Sequence, residues 1–257
     1  MALKSKQIEF YYQPVIDLKT MKVVGAETLC RWPHSEKGFI PPSEFIPIAE
    51  RSKLVHILTY LAFEAALDDS NEWDDKLSIA VNLSLSQLFD NTHLETLISK
   101  IEKKLVSNKI RIIIEITESV ELINNATFFN SINKLRNIGC EVALDDFGTG
   151  FSSLSYIKKL PIDIIKIDQS FVRDIISDPK DRTMIKVILG MAREFGFETI
   201  AEGVETKEQL KFLIDNGCKR AQGFLFSKAL PLKEFNLFTT SFNKGNGFLE
   251  QINAIEN

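Results

Sequence analysis

Apolar runs of strand length in this chain repeatedly end on a polar residue. Val142-Ala143-Leu144 leads into Asp145-Asp146, Ile79-Ala80-Val81 into Asn82, Ile112-Ile113-Ile114 into Glu115, Ile164-Ile165 into Lys166, and Thr199-Ile200-Ala201 into Glu202. An apolar strand gives such groups no structural work of its own. If these strands run parallel, their ends converge on one place, and in a barrel of alternating strands and helices the C-terminal ends carry the catalysis. The adjacent acids Asp145 and Asp146, followed by Gly148 and Gly150, point to a metal there.

A coarse pass gives eight strand candidates, near residues 10–17, 22–31, 77–83, 110–116, 141–145, 163–168, 198–202 and 221–226. Helix-length segments separate most of them, which is the pattern of parallel βα units. Thr206 with Gln209 reads as a capping box, and Ser152 and Ser153 as a start for the helix before Leu160. Gly139 and Gly217 read as helix stops. The first pair of strands breaks the alternation. Only about Leu18 to Met21 separates them, and a parallel crossover needs a dozen or more residues, so they run antiparallel. The expected fold is α/β, a TIM-like (β/α)8 barrel with its first strand antiparallel to the others. Residues 1–242 form that single domain, and 243–257, with Gly245 and Gly247, read as a linker or short helical tail.

Composition bounds the function. With 257 residues, 44% hydrophobic and 26% charged, the chain suits one large globular domain. A net charge of −4 argues against a nucleic-acid polymer as partner, since that affinity comes from clustered Lys and Arg. No apolar stretch approaches the roughly 20 residues of a membrane helix, and no signal-peptide core follows the N-terminus, so a cytoplasmic location is expected. Cys30, Cys140 and Cys218 are widely spaced and read as core thiols.

The chain also resembles the EAL-type cyclic-di-GMP phosphodiesterases over nearly its whole length. The matching segments include Tyr12-Gln13-Pro14-Val15, Glu27-Thr28-Leu29-Cys30-Arg31-Trp32, Val81-Asn82-Leu83-Ser84, Glu115-Ile116-Thr117-Glu118, Asp145 through Leu154, Lys166-Ile167-Asp168, Ala201-Glu202-Gly203-Val204-Glu205 and Gln222-Gly223. The name-giving tripeptide departs from the family, reading Glu27-Thr28-Leu29. Thr28 alternates with Glu27 and points to the other strand face, so loss of activity is not expected from it.

The resemblance implies hydrolysis of one phosphodiester bond of cyclic di-GMP to linear pGpG, with two divalent cations, Mg²⁺ or Mn²⁺, and with Ca²⁺ inhibitory. It implies Glu27, Asn82, Glu115, Asp145, Asp146 and Glu202 as metal ligands, with Lys166, Glu27, Asp146 and Glu202 as the catalytic set. Gln13, Arg31, Asp168 and Gln222 are implied at the substrate, and Glu118 in support of the loop after Asp146. It also implies a homodimer. Oxygen ligands suit hard Mg²⁺ and Mn²⁺ where thiolates do not.

Other readings stand beside these. Asp145 and Asp146 taken alone could start a turn, and Lys166 could pair with Asp168 two residues on. Glu205 could serve only the dipole of the helix that Thr206 caps. His34, His56 and His93 fall in no motif, and the stretch Leu54 to Leu67 reads as a core-facing helix. Two other functions remain: a cyclic-di-GMP receptor without turnover, or a barrel lyase or isomerase using Lys166 as base beside a metal. The Asp146-Phe147-Gly148 string matches a kinase triplet, but no other kinase motif accompanies it.

Overall fold

The structure is a computed structural model that describes residues 7–73, 77–105, 110–118, 126–150 and 157–245. Strands β1 (Glu9–Asp17), β2 (Lys22–His34), β3 (Gly38–Ile40), β4 (Ser78–Asn82), β5 (Ile112–Thr117), β6 (Glu141–Phe147), β7 (Ile164–Ile167), β8 (Glu198–Ala201) and β9 (Arg220–Ala221) form one sheet. Its order is β1-β9-β8-β7-β6-β5-β4-β2-β3, and β1 also pairs with β2, so eight strands close a barrel. From β2 through β4 to β9 the neighbours are parallel, whereas β1 is antiparallel to both β2 and β9. The expected reversed first strand is present. The turn behind it is set by Asp17, whose Oδ1 accepts from the Thr20 amide at 2.7 Å.

Two differences from the sequence expectation concern strands. β3 was not anticipated: it is a short hairpin partner that extends β2 beyond the barrel rim. The last strand, expected over 221–226, is only Arg220–Ala221, because Gly223 and the turn after it leave the sheet. A Cβ at Gly223 would meet the Val204 backbone at 2.1 Å, so only glycine permits this packing.

Helices α1 (Pro42–Arg51), α2 (Val55–Asp69), α3 (Leu85–Leu88), α4 (Asn91–Leu105), α5 (Ala126–Asn137), α6 (Gln169–Arg173), α7 (Pro179–Phe195), α8 (Lys207–Asp215) and α9 (Leu232–Lys244) surround the barrel. The Thr206–Gln209 capping box opens α8, and Gly139 and Gly217 take positive φ past the ends of α5 and α8, as expected. The stretch from Leu54 is α2, with Leu58, Ala62, Phe63 and Ala66 buried. The predicted helix start at Ser152 and Ser153 lies outside the described residues. α9 runs to Lys244, past the expected boundary at 242. Cys140 and Cys218 are buried, and Cys30 is half-buried against α1. Among the described residues no helix is long and apolar enough to cross a membrane.

Strand alternation sorts the core into two. Ile79, Val81, Ile112, Ile114, Val142, Leu144, Ile165 and Ile167 face the helices in the large cluster. The residues between them, Val15, Ala80, Ile113, Ala143, Ile164 and Ile200, form a separate plug inside the barrel. Two residues further along each parallel strand, and two back along β1, the same inward face presents Gln13, Asn82, Glu115, Asp145, Lys166 and Glu202. Below the plug the other end is closed by charge pairs: Arg111 to Glu141, and Arg111 and Arg220 to Glu198 at 3.0 and 2.9 Å.

Candidate active site

The sequence-predicted residues meet at the C-terminal mouth of the barrel. Lys166, 1% exposed, stands at the centre. Its Nζ lies 2.7 Å from Glu202 Oε1, 2.9 Å from Glu115 Oε2, 3.1 Å from Asp145 Oδ1 and 3.5 Å from Glu27 Oε2. Asp168 is not among these partners. Its side chain instead caps α6, accepting from the Ser170 amide at 3.0 Å, and it hydrogen-bonds Asp146.

Amide groups hold the carboxylates in place. Gln222 Nε2 donates to Glu27 Oε2 at 2.8 Å and to Glu202 Oε1 at 3.0 Å, while Asn82 Nδ2 donates to Glu27 Oε1 at 3.0 Å. The chain needs barrel closure to do this, since Gln222 and Glu27 are 195 residues apart.

Asp145 and Asp146 would face opposite ways on a regular strand. The pairing of β6 with β7 shifts register between Leu144 and Phe147, and Asp146 takes φ 53°, a conformation Asp tolerates better than most residues. With that bulge, carboxylate oxygens of Asp145, Asp146 and Glu202 lie within 4.8 Å of one another. Glu118, on the far face, accepts from the Gly148 amide at 3.0 Å, and its side chain fills the space a Cβ at Gly150 would need.

The electrostatics follow from crowding acids in a dry place. Burial opposes the Lys166 charge, but Glu115, Glu202, Glu27 and Asp145 outweigh it and hold the ammonium well above the usual lysine range. Burial, and then Glu27, pushes Glu115 well up. Glu202 rises to about 8, by burial against the pull of Lys166 and with Asp145 and Glu27 adding to it. Asp146 rises to about 6, by burial and then by the charges of Asp145 and Asp168. For Glu27 burial is outweighed by Lys166, Gln222 and Asn82, and its pKa falls. One ammonium leaves several carboxylates uncompensated, and the donors are all oxygen. That set fits hard divalent ions.

A cleft of about 590 Å³ leads to this cluster, lined by Gln13, Glu27, Arg31, Asp145, Glu202 and Gln222. Phe39, Gln169, Phe224 and Lys228 also line it and were not singled out in the sequence. Phe39 arrives on the unforeseen β3, Phe224 on the turn that replaces the expected end of the last strand, and Lys228 just after it. Phe39 and Phe224 are 57% and 59% exposed, although both are large and apolar. Arg31 lies over the Tyr11 ring and donates to the Cys30 carbonyl, and Lys228 lies 5.2 Å from the Phe224 ring centre. Glu205 lies at the same cleft, one residue before the α8 cap. The histidines are elsewhere: His56 and His93 stack 3.8 Å apart between α2 and α4, and His34 accepts from amides of the β2–β3 turn.

Comparison with known proteins matches this architecture. Residues 1–229 match the family model described as the EAL domain. The cyclic di-GMP phosphodiesterase PdeR of Escherichia coli K12 is 38% identical over 237 residues, covering 91% of this chain and 36% of its own length. The cyclic di-GMP phosphodiesterase PA2567 of Pseudomonas aeruginosa is 36% identical over 223 residues, covering 85% of this chain and 38% of its own. The chain thus spans little more than a third of these two relatives. Among solved structures, PaMucR phosphodiesterase in complex with c-di-GMP superposes with TM-score 0.82 at 31% identity, covering 91% of this chain and 96% of that one. An EAL domain protein from Listeria monocytogenes EGD-e gives TM-score 0.81 at 29% identity, covering 93% of this chain and 95% of that one. With its reversed-strand barrel and its ring of oxygen donors at the strand ends, the chain belongs to the EAL domain family.

Proposed function

We propose that this chain is a metal-dependent phosphodiesterase that opens cyclic di-GMP to linear pGpG. The observation that carries the reading is the gathering of Glu27, Glu115, Asp145 and Glu202 around the buried Lys166 at the floor of an open cleft. Glu27, Asn82, Glu115, Asp145, Asp146 and Glu202 would hold two divalent ions, Mg²⁺ or Mn²⁺. When bound, such ions supply hydroxide at neutral pH and neutralise charge on the phosphate.

The protein's own groups then have definite tasks. Lys166, with its Nζ among four carboxylates at the floor of the cleft, is placed to donate hydrogen bonds that fix the attacking water and stabilise charge. In the displacement the water oxygen bonds to phosphorus and gives up a proton, the bond to the leaving ribose oxygen breaks, and that oxygen takes up a proton in its place. Gln222 and Asn82 keep Glu27 aimed. Asp168 steadies Asp146 and α6, and Glu118 braces the loop after Asp146.

The cleft supports a two-base, two-phosphate ligand. Arg31 and Lys228 bring cations to an otherwise acidic cleft, and Arg suits bidentate contact with phosphate or a guanine edge. Phe39 and Phe224 offer open faces on which bases stack. Gln13 offers an amide beside them. The same reading takes residues 1–242 as the catalytic unit, in the cytoplasm, and as a homodimer, which sedimentation across a dilution series would test.

Loss of a ligand would favour a receptor without turnover, and here each acid, amide and lysine of the ring is in place. Calorimetry of cyclic di-GMP with Ca²⁺ present tests substrate recognition apart from chemistry. Micromolar or tighter binding, weakened by Arg31→Ala, is the expected result; no binding would contradict the assignment of the cleft.

A further inference from the structure

Gln13 and Glu27 stand opposite each other in the register of β1 and β2, and their shared face continues outward past the carboxylate ring. Next along it come Tyr11 and Leu29, and then Glu9 and Arg31. Tyr11, Gln13, Glu27, Leu29 and Arg31 all line the cleft, whereas Tyr12 and Thr28 between them are buried on the other face. Arg31 is four residues beyond Glu27, about 13 Å of strand, so it serves the outer part of the cleft and not the carboxylate ring.

The Arg31 guanidinium lies 5.7 Å from the centre of the Tyr11 ring, across the diagonal of the ladder, and Nη1 donates to the Cys30 carbonyl at 2.9 Å. Glu9 is directly opposite in register, yet among the described residues no carboxylate forms an ion pair with Arg31. A guanidinium that no acid neutralises keeps N–H donors for a ligand, and an aromatic face against it fixes the plane in which they point. We propose that Tyr11 is a positioning residue, a shelf that holds the Arg31 fork toward the cleft so that it grips the part of the dinucleotide remote from Glu27. The contact is made by the ring face, so the hydroxyl has no share in it and phenylalanine would serve. Because Arg31 holds the ligand before and during the reaction alike, loss of the shelf weakens binding and raises KM more than it lowers kcat. The ligand's identity rests on the phosphodiesterase reading; the contact between ring and guanidinium does not.

Nuclear magnetic resonance reads the shelf without any ligand. In the isotope-labelled protein the Arg31 Nε–Hε signal, identified by its loss in Arg31→Lys, should lie upfield through the ring current of Tyr11. Tyr11→Leu should return it toward the position of solvated arginines, and Tyr11→Phe should leave it in place. Calorimetry of cyclic di-GMP with Ca²⁺ and turnover with Mg²⁺ read the consequence. Tyr11→Leu should weaken binding and raise KM about threefold to tenfold, the worth of one cation–aromatic contact, with kcat within about twofold of wild type. Tyr11→Phe should match wild type, and in an Arg31→Ala background Tyr11→Leu should have no further effect, since the two residues act as one unit. An Arg31 signal unmoved by Tyr11→Leu, losses that add in the double variant, or Tyr11→Phe as impaired as Tyr11→Leu would overturn the positioning role. So would a fall in kcat at unchanged KM. A wild-type protein that binds no cyclic di-GMP, while its Arg31 signal still follows Tyr11, would overturn the substrate reading and leave the shelf standing.

Discussion

Asp145 and Asp146 are consecutive in the chain, yet each brings a carboxylate oxygen within 4.8 Å of Glu202. The bulge in β6 and the positive φ of Asp146 make this possible. The geometry separates two kinds of replacement. Asn tolerates the left-handed region and Ala does so less well, at a cost of about 1 kcal/mol or more. Asp146→Asn should therefore lower turnover by several orders of magnitude and leave the fold intact, whereas Asp146→Ala should also lose about 2–4 °C in melting temperature. Near-native turnover of Asp146→Asn at saturating Mg²⁺ would remove Asp146 from the ligand set.

Titration of the metal-free protein has a definite sign. Asp146 rises to about 6 and Glu202 to about 8 in the fold, so the folded chain keeps protons that the unfolded chain releases near pH 4. Their contribution to stability is full below about pH 4 and is lost as pH rises toward 8. In chelator, the melting temperature of Asp146→Asn relative to wild type should therefore increase between pH 5 and pH 7. Metal affinity should rise over the same range, because ions displace those protons. Parallel melting curves for the two proteins would contradict the assigned shift.

Lys166 is the counter-ion for a carboxylate cluster that includes the 1% exposed Glu115. Removing one member of a buried ion pair costs about 3–5 kcal/mol, so Lys166→Ala should unfold at clearly lower temperature without metal and recover part of the loss when Mg²⁺ is added. Its kcat should collapse while cyclic-di-GMP binding in Ca²⁺ changes little, as expected of a group that acts in the transition state. A variant that binds poorly but turns over normally at saturation would place Lys166 on the substrate instead of the water.

Divalent ions should be indispensable. Excess chelator should stop turnover and Mg²⁺ or Mn²⁺ restore it, while Ca²⁺, larger and less strict in geometry, should bind and inhibit. Undiminished activity in chelator would remove the metal from the mechanism.

Much of the site was readable because it follows from strand period alone. Ala80, Ile113, Ala143, Ile164 and Ile200 share a face with the polar residues two positions on, and parallel strands carry that face to one end. What the sequence hid depends on contacts between distant segments. Lys166 pairs with acids on four other strands or strand ends, not with its neighbour Asp168, and only closure of the barrel selects them. The bulge at Asp146 breaks the period that a pattern reading assumes. Residues 221–226 look strand-like, but Gly223 packs against Val204 and turns Phe224 and Lys228 to the cleft.

The central claim is hydrolysis at this mouth, and chromatography of the nucleotides after incubation with cyclic di-GMP and Mg²⁺ tests it most directly. Conversion to linear pGpG, absent in Glu27→Ala, is the expected result. Cyclic di-GMP recovered intact from a protein that binds it would contradict the enzyme reading and leave a receptor.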